Sequence, residues 1–147
     1  MRLSPHFTLA EFTSSDTADR LKIANAPTKA HLSNLQRLAA ALEKVRTALG
    51  SRPITVTSAY RNPAVNAAVG GVKTSDHAQG HAADIVVEGL SPYETAKRIR
   101  DSGIKFDQLI LESSRGVVHI SFAPRMRQQV LTQAGGPGSP VQQGLWL

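Results

Sequence analysis

The 147-residue chain contains no cysteine. It can therefore form no disulfide, carries no thiol nucleophile, and cannot build an iron–sulfur cluster or the cysteine-rich zinc sites that serve structure. Any metal must be held by histidine, aspartate or glutamate, a donor set more typical of catalytic sites. Aromatic residues make up 5% of the chain, and no lysine–arginine cluster interleaves with them, so the stacking surfaces of nucleic-acid binding are missing. No apolar run approaches the roughly 18 residues of a membrane span, and no integral membrane association is expected. The N-terminal stretch MRLSPHFTLAEF has no apolar core of the kind a secretory signal carries.

What is present describes one soluble globular domain of ordinary size, with 41% hydrophobic and 19% charged residues. Lysine plus arginine outnumber aspartate plus glutamate, 17 to 11, for a formal net charge of +6. A basic balance favours anionic partners: nucleic acid, an anionic membrane surface, or an acidic polymer such as a cell wall.

Local signals divide the chain into elements. Thr8 can cap a short helix over Leu9–Phe12, and Ser15 or Asp16 can start a turn around Ala18–Ile23. Between Thr28 and Leu49 a one-sided stripe of Leu32, Leu35, Leu38, Ala39, Leu42, Val45 and Leu49 predicts a long helix, ended by Gly50 and Pro53. Ile54–Tyr60 and Ala82–Val87 read as strands, and Ser91-Pro92-Tyr93-Glu94 is a capping box that opens a helix running to about Ser102. Phe106–Glu112 and Val117–Phe122 predict a hairpin, and Pro124–Gln133 a last helix. Residues 134–147, rich in glycine and proline, read as an irregular tail that docks through Leu145–Leu147, leaving 1–133 as the domain. Helices first, then strands with one helix between them, make an α+β fold: a small, mostly antiparallel sheet with N-terminal and flanking helices.

Three of the five histidines, His77, His81 and His119, lie in the strand-rich half, and two of them share SDHAQGHAAD with Asp76 and Asp84. Two donors close in sequence and a third from another strand would supply the three-ligand, open-coordination site of hydrolytic zinc. Two local geometries compete. A helix would place His77, His81 and Asp84 on one face. A loop at His77, a turn at Gly80 and Asp84 at the start of a strand is favoured by Gly80 and by the β-branched run that follows.

Ser75-Asp76-His77-Ala78-Gln79-Gly80-His81-Ala82-Ala83-Asp84 resembles the S-x-H-x-x-G-x-A-x-D signature of the zinc D-alanyl-D-alanine carboxypeptidase family of metallopeptidases. Val118-His119-Ile120-Ser121 resembles the later motif carrying that family's third ligand, and Ser58-Ala59-Tyr60-Arg61-Asn62-Pro63 its S-G-Y-R-x-P segment. The start of the chain resembles single-domain members encoded by phages and prophages. The resemblance implies one zinc ion on the sheet, held by His77, Asp84 and His119. It also implies an Arg61 that holds a substrate carboxylate or the scissile carbonyl oxygen, and a Ser75 that lines the substrate site. The implied partner is bacterial peptidoglycan, cut at a stem-peptide bond next to a D-amino acid by a carboxypeptidase or endopeptidase. The implied protein is a monomeric, endolysin-like enzyme, cytoplasmic until host lysis and acting on the periplasmic wall, with no nucleic-acid partner.

One departure bears on mechanism. Many relatives carry an acid three residues before the third ligand, as base toward zinc-bound water; here that position is Gly116. Glu112 is the best candidate for the base by geometry: if 113–116 form the hairpin loop, Glu112 pairs with Val117 and lies diagonal to His119. Asp76 and His81 come second. A rival reading, a catalytically silent zinc-containing wall-binding module or phage structural component, follows from the same departure. A nucleic-acid-binding domain rests on charge alone. Lys97, Arg98, Arg100, Arg125 and Arg127 read as solvated faces.

Overall fold

The computed structural model describes residues 1–71, 75–136 and 138–147. The N-terminal quarter builds a small layer from local signals. Strands β1 (Arg2–Ser4) and β2 (Phe7–Thr8) form a two-stranded antiparallel sheet, and helices α1 (Leu9–Thr13) and α2 (Asp16–Leu21) follow. The Thr8 side chain accepts from the Glu11 amide while Glu11 reaches back to the Thr8 amide, a complete capping box. Ser15 caps α2 by accepting from Ala18.

Helix α3 (Lys29–Ala48) is the expected amphipathic helix: Leu35, Leu38, Ala39, Leu42 and Val45 are buried along one stripe, with Leu49 closing it. Fully burying side chains of this kind contributes about 1.5–3 kcal/mol each, which is what fixes α3 against the sheet.

The main sheet has six strands in the order β3 (Ile54–Ser58), β4 (Ala82–Val87), β6 (Val117–Ser121), β5 (Gln108–Glu112), β7 (Gln129–Gln133), β8 (Gln142–Gln143). All neighbours are antiparallel except β5 and β7. Strand alternation gives the two faces opposite characters. Ala83, Ile85 and Val87 of β4, Leu109 and Leu111 of β5, and Val118 and Ile120 of β6 point into the core. Helix α6 (Pro92–Asp101), capped by Ser91, packs on β4, β5 and β6 and touches α3. The residues between them in sequence, including Asp84, Ile110, Glu112 and His119, line a cleft on the other face.

The fold differs from the sequence expectation at four places, the first being strands β1 and β2, which form where only helical signals and a turn are read. Pro124–Gln133 is not a helix: 124–128 is irregular, with left-handed φ of 41° at Met126 and 57° at Gln128, and 129–133 is β7. The open edge of β5 supplies hydrogen bonds that outweigh local propensity there. The C-terminal stretch also contributes a strand, β8, and Leu145 packs on the core, whereas Trp146 and Leu147 stay exposed. His77 sits not on a loop but in a one-turn helix, α5 (Asp76–Gln79), which Gly80 ends at φ 80°. A Cβ at Gly80 would stand 3.1 Å from the His31 carbonyl oxygen, so close packing against α3 as well as the left-handed turn requires glycine.

Candidate metal centre and its cleft

Three elements deliver the three donors. Ser75 caps α5, its hydroxyl accepting from the His77 amide, and so fixes the turn that carries His77. Asp84 is the third residue of β4 and stands directly opposite His119 on β6. Sheet register alone therefore places two donors side by side, and α5 brings the third over them. One donor atom from each of His77, Asp84 and His119 can be chosen so that all lie within 4.8 Å of one another, and His77 and Asp84 are buried.

The local hydrogen bonds prepare these donors. His77 Nδ1 lies 2.6 Å from the Ala59 carbonyl oxygen, an acceptor only, so Nδ1 carries the proton and Nε2 presents its lone pair. That Nε2 is 3.3 Å from Asp84 Oδ1, and His119 Nδ1 is 3.1 Å from the same oxygen. The two imidazoles meet nearly edge-on, with centroids 5.1 Å apart. Burial alone would raise the Asp84 carboxyl, but the two histidines outweigh it and hold the group far below the usual carboxylate range. Burial disfavours charge on His119, and its hydrogen bond and attraction to Asp84 more than compensate, raising its pKa above the ordinary imidazole value. Two imidazole nitrogens and a carboxylate held ionised, converging with an open side toward a cleft, fit a divalent ion of the zinc type.

Arg61 lies between β3 and helix α4 (Pro63–Ala68) and is tied to the centre through its backbone, since its amide donates to the His77 carbonyl at 3.2 Å. Its Nη2 donates to Ser75 Oγ at 3.3 Å, while Nε is buried with no hydrogen-bond partner among the described residues. Burial lowers the Arg61 pKa and Arg115 adds to this, against the pull of Asp84 and Glu112. The segment is held rigid from behind: Asn25 donates to the Tyr60 carbonyl, and Tyr60 pairs its hydroxyl with His31.

Glu112 pairs with Val117 across the hairpin, as its spacing predicts, and lines the cleft with His119. Arg115, which no local motif singles out, joins the carboxylates: its Nη1 lies 3.1 Å from Glu112 Oε1 and 3.4 Å from Asp84 Oδ2. Asp84 thus turns one oxygen to the histidines and the other to an arginine. The remaining candidates stand at the margins. Asp76 accepts from Ser121 Oγ at 2.7 Å and from Arg125 at 2.6 Å, and among the described residues His81 is not one of the converging donors. Burial pushes the His81 pKa down, with Asp76 opposing.

Arg125 and Arg127 are exposed, as expected, but they are not free surface cations. Both form ion pairs with Asp107, which is fully buried at the start of β5, and both line the cleft. Their contacts lie 18 to 49 residues away in sequence, so no local pattern announces them.

Residues 5–121 match the family model described as Peptidase M15. The chain belongs to the Peptidase M15 family. The matched span contains His77, Asp84, His119, Arg61 and Glu112 and ends at Ser121, before β7. Over 44 residues, 30% of this chain, the sequence is 46% identical to the zinc D-Ala-D-Ala carboxypeptidase of Streptomyces albus G. That stretch spans 17% of the relative's length. Among the described residues no helix is long and apolar enough to cross a membrane.

Proposed function

We propose that the chain is a zinc-dependent peptidoglycan peptidase that hydrolyses a stem-peptide bond next to a D-amino acid. The observation that carries this reading is the donor cluster itself: His77, Asp84 and His119 converge at the floor of an open cleft, with the His77 tautomer already set by Ala59. When bound there, zinc supplies Lewis acidity, polarising a carbonyl oxygen and acidifying water.

The chain's own residues do the rest. Arg61, its guanidinium steadied by Ser75, hydrogen-bonds the substrate carboxylate or the carbonyl oxygen on which charge develops. The Glu112 carboxylate accepts the proton of the attacking water and returns it to the leaving amine. Arg115 keeps that carboxylate turned toward Asp84 and the histidines until substrate arrives. An endopeptidase needs room in the cleft on both sides of the scissile bond, whereas the terminal carboxylate of a D-alanyl-D-alanine peptide would dock on Arg61. An endolysin-like monomer that is cytoplasmic until host lysis and then meets the wall accords with the net charge of +6.

A second reading has one observation in its favour. Gly116, not an acid, stands three residues before His119, as in a silent wall-binding module that retains the ion. Mass spectrometry of purified peptidoglycan incubated with the zinc-loaded chain, with and without chelator, separates the two. A product released only without chelator supports the peptidase, and its mass names the bond. Zinc and wall binding with no product would replace the peptidase by the binding module.

A further inference from the structure

Residues 122–147 lie beyond the part of the chain that matches the family, yet Arg125, Arg127, Gln133 and Gly138 among them help line the cleft. The connection from β6 to β7 crosses the start of β5, where Asp107 is completely buried. Asp107 accepts from the Arg127 amide at 3.0 Å, from Arg127 Nε at 2.8 Å and from Arg127 Nη2 at 2.9 Å. Arg125 Nη2 lies 3.2 Å away and also reaches Asp76 at 2.6 Å. Met126 and Gln128, the residues either side of Arg127, are both left-handed without being glycine. Such strained positions persist only where the surroundings over-determine them, and they gather at functional sites. Here Gln128 supplies that support, exchanging hydrogen bonds with Phe106 and donating to the Ile104 carbonyl.

The result is a pair of guanidinium groups fixed by a buried carboxylate and turned into the cleft. Among the described residues, Arg127 Nη1 makes no hydrogen bond, nor do Arg125 Nε and Nη1. Register gives their place. Ile110 stands opposite His119, Gln108 opposite Ser121, and Ser121 bonds Asp76, the partner of Arg125. Glu112 and Arg115 lie at the other end, so the donor cluster sits between them and the arginine pair. The pair is displaced from the cluster's row by about two strand residues, roughly 7 Å.

We propose that Arg127, with Arg125 beside it, is a specificity-determining residue that binds a second substrate carboxylate about two residues from the scissile carbonyl. The inference rests on the peptidase reading for the identity of the peptide. A planar fork held rigid by one carboxylate and offering a free edge matches a second carboxylate better than an amide or a hydroxyl. The segment beyond the family match thereby adds a requirement for an acidic substrate residue.

The test uses the stem pentapeptide L-Ala–γ-D-Glu–L-Lys–D-Ala–D-Ala, fluorescently labelled, with its D-Glu α-carboxyl and its C-terminal carboxyl each either free or amidated. Binding by the chelated full-length chain is followed by anisotropy, and cleavage by the zinc-loaded chain by mass spectrometry. The expected result is that amidating one of the two carboxylates weakens binding about tenfold, and that Arg127→Gln abolishes that discrimination. Arg125→Gln, which leaves the Arg127–Asp107 pair intact, should reduce it and provides a variant should Arg127→Gln fail to fold. Equal binding of all four peptides by the unaltered chain overturns the proposal, as does a variant that weakens all four alike. Discrimination without cleavage would sink the peptidase reading and leave the carboxylate site standing; cleavage without discrimination would do the reverse.

Discussion

Replacing Glu112 by glutamine separates chemistry from architecture more cleanly than any other single change. Glutamine keeps the length of the side chain and the backbone pairing with Val117, and removes the charge and the basicity. The structural loss is the ion pair with Arg115, whose side chain is 41% exposed, so the pair is screened and contributes about 0.3–1 kcal/mol. For a domain of this size that is a fall in Tm of at most about 4 °C. The kinetic loss is of a different order. A positioned proton-transfer group contributes roughly 10²–10⁴ in rate, or about 2.7–5.5 kcal/mol of barrier. Zinc content, read by mass spectrometry of the metal, should be unchanged, because Glu112 is not among the three converging donors. Chromatographic assay of pentapeptide cleavage should therefore show kcat reduced by about 10²–10⁴, with a Tm within a few degrees of the parent. A kcat within threefold of the parent, at full zinc occupancy, would remove Glu112 as the base.

Other perturbations test the supporting structure. Gly80→Ala forces a left-handed alanine against the His31 carbonyl and should cost about 1–2 kcal/mol in denaturant unfolding while weakening zinc binding through His77; an unchanged midpoint would contradict the packing argument. Asp107→Ala strands two arginines and should cost about 3 kcal/mol, the low end for a broken buried pair because both guanidinium groups reach solvent; a loss below about 1 kcal/mol would refute the role given to that carboxylate. With His119 as a metal ligand, protons and metal would compete for its imidazole. Because its pKa is raised in the metal-free fold, zinc affinity measured against a chromophoric chelator should begin to fall above the ordinary value near 6.5 as pH decreases. The same shift, worked as linkage, gives the metal-free chain stability that is full below about 6.5 and lost as pH rises through the raised His119 value. The depressed Asp84 contributes stability above about 3.9 that is lost as pH falls through its folded value. A metal-free melting temperature that climbs steadily from pH 6 to 9 would contradict this.

Much of the site is legible in the sequence because its determinants are local. The caps at Thr8, Ser15 and Ser91 and the stripe on α3 are written within a few residues of where they act. The four-residue loop after Glu112 sets the hairpin register, and register then places Glu112 opposite Val117 and Asp84 opposite His119. Where the determinants are distant, the sequence misleads. Residues 129–133 form a strand because the β5 edge is there to be paired, which no window around them reveals. The one-turn helix at His77 depends on the Ser75 cap and on Gly80 packing under α3. Arg115, Arg125 and Arg127 look like ordinary surface cations until the fold brings Asp84, Asp76 and Asp107 to them.

The central claim is that His77, Asp84 and His119 together hold one catalytic zinc ion. Anomalous diffraction at the zinc edge, on crystals of the zinc-loaded chain, tests it directly. The account predicts a single peak bonded to His77 Nε2, an Asp84 carboxylate oxygen and His119 Nδ1 at about 2.0–2.2 Å, with its remaining coordination open to the cleft. A peak elsewhere, or bonding that omits any of the three side chains, would contradict it.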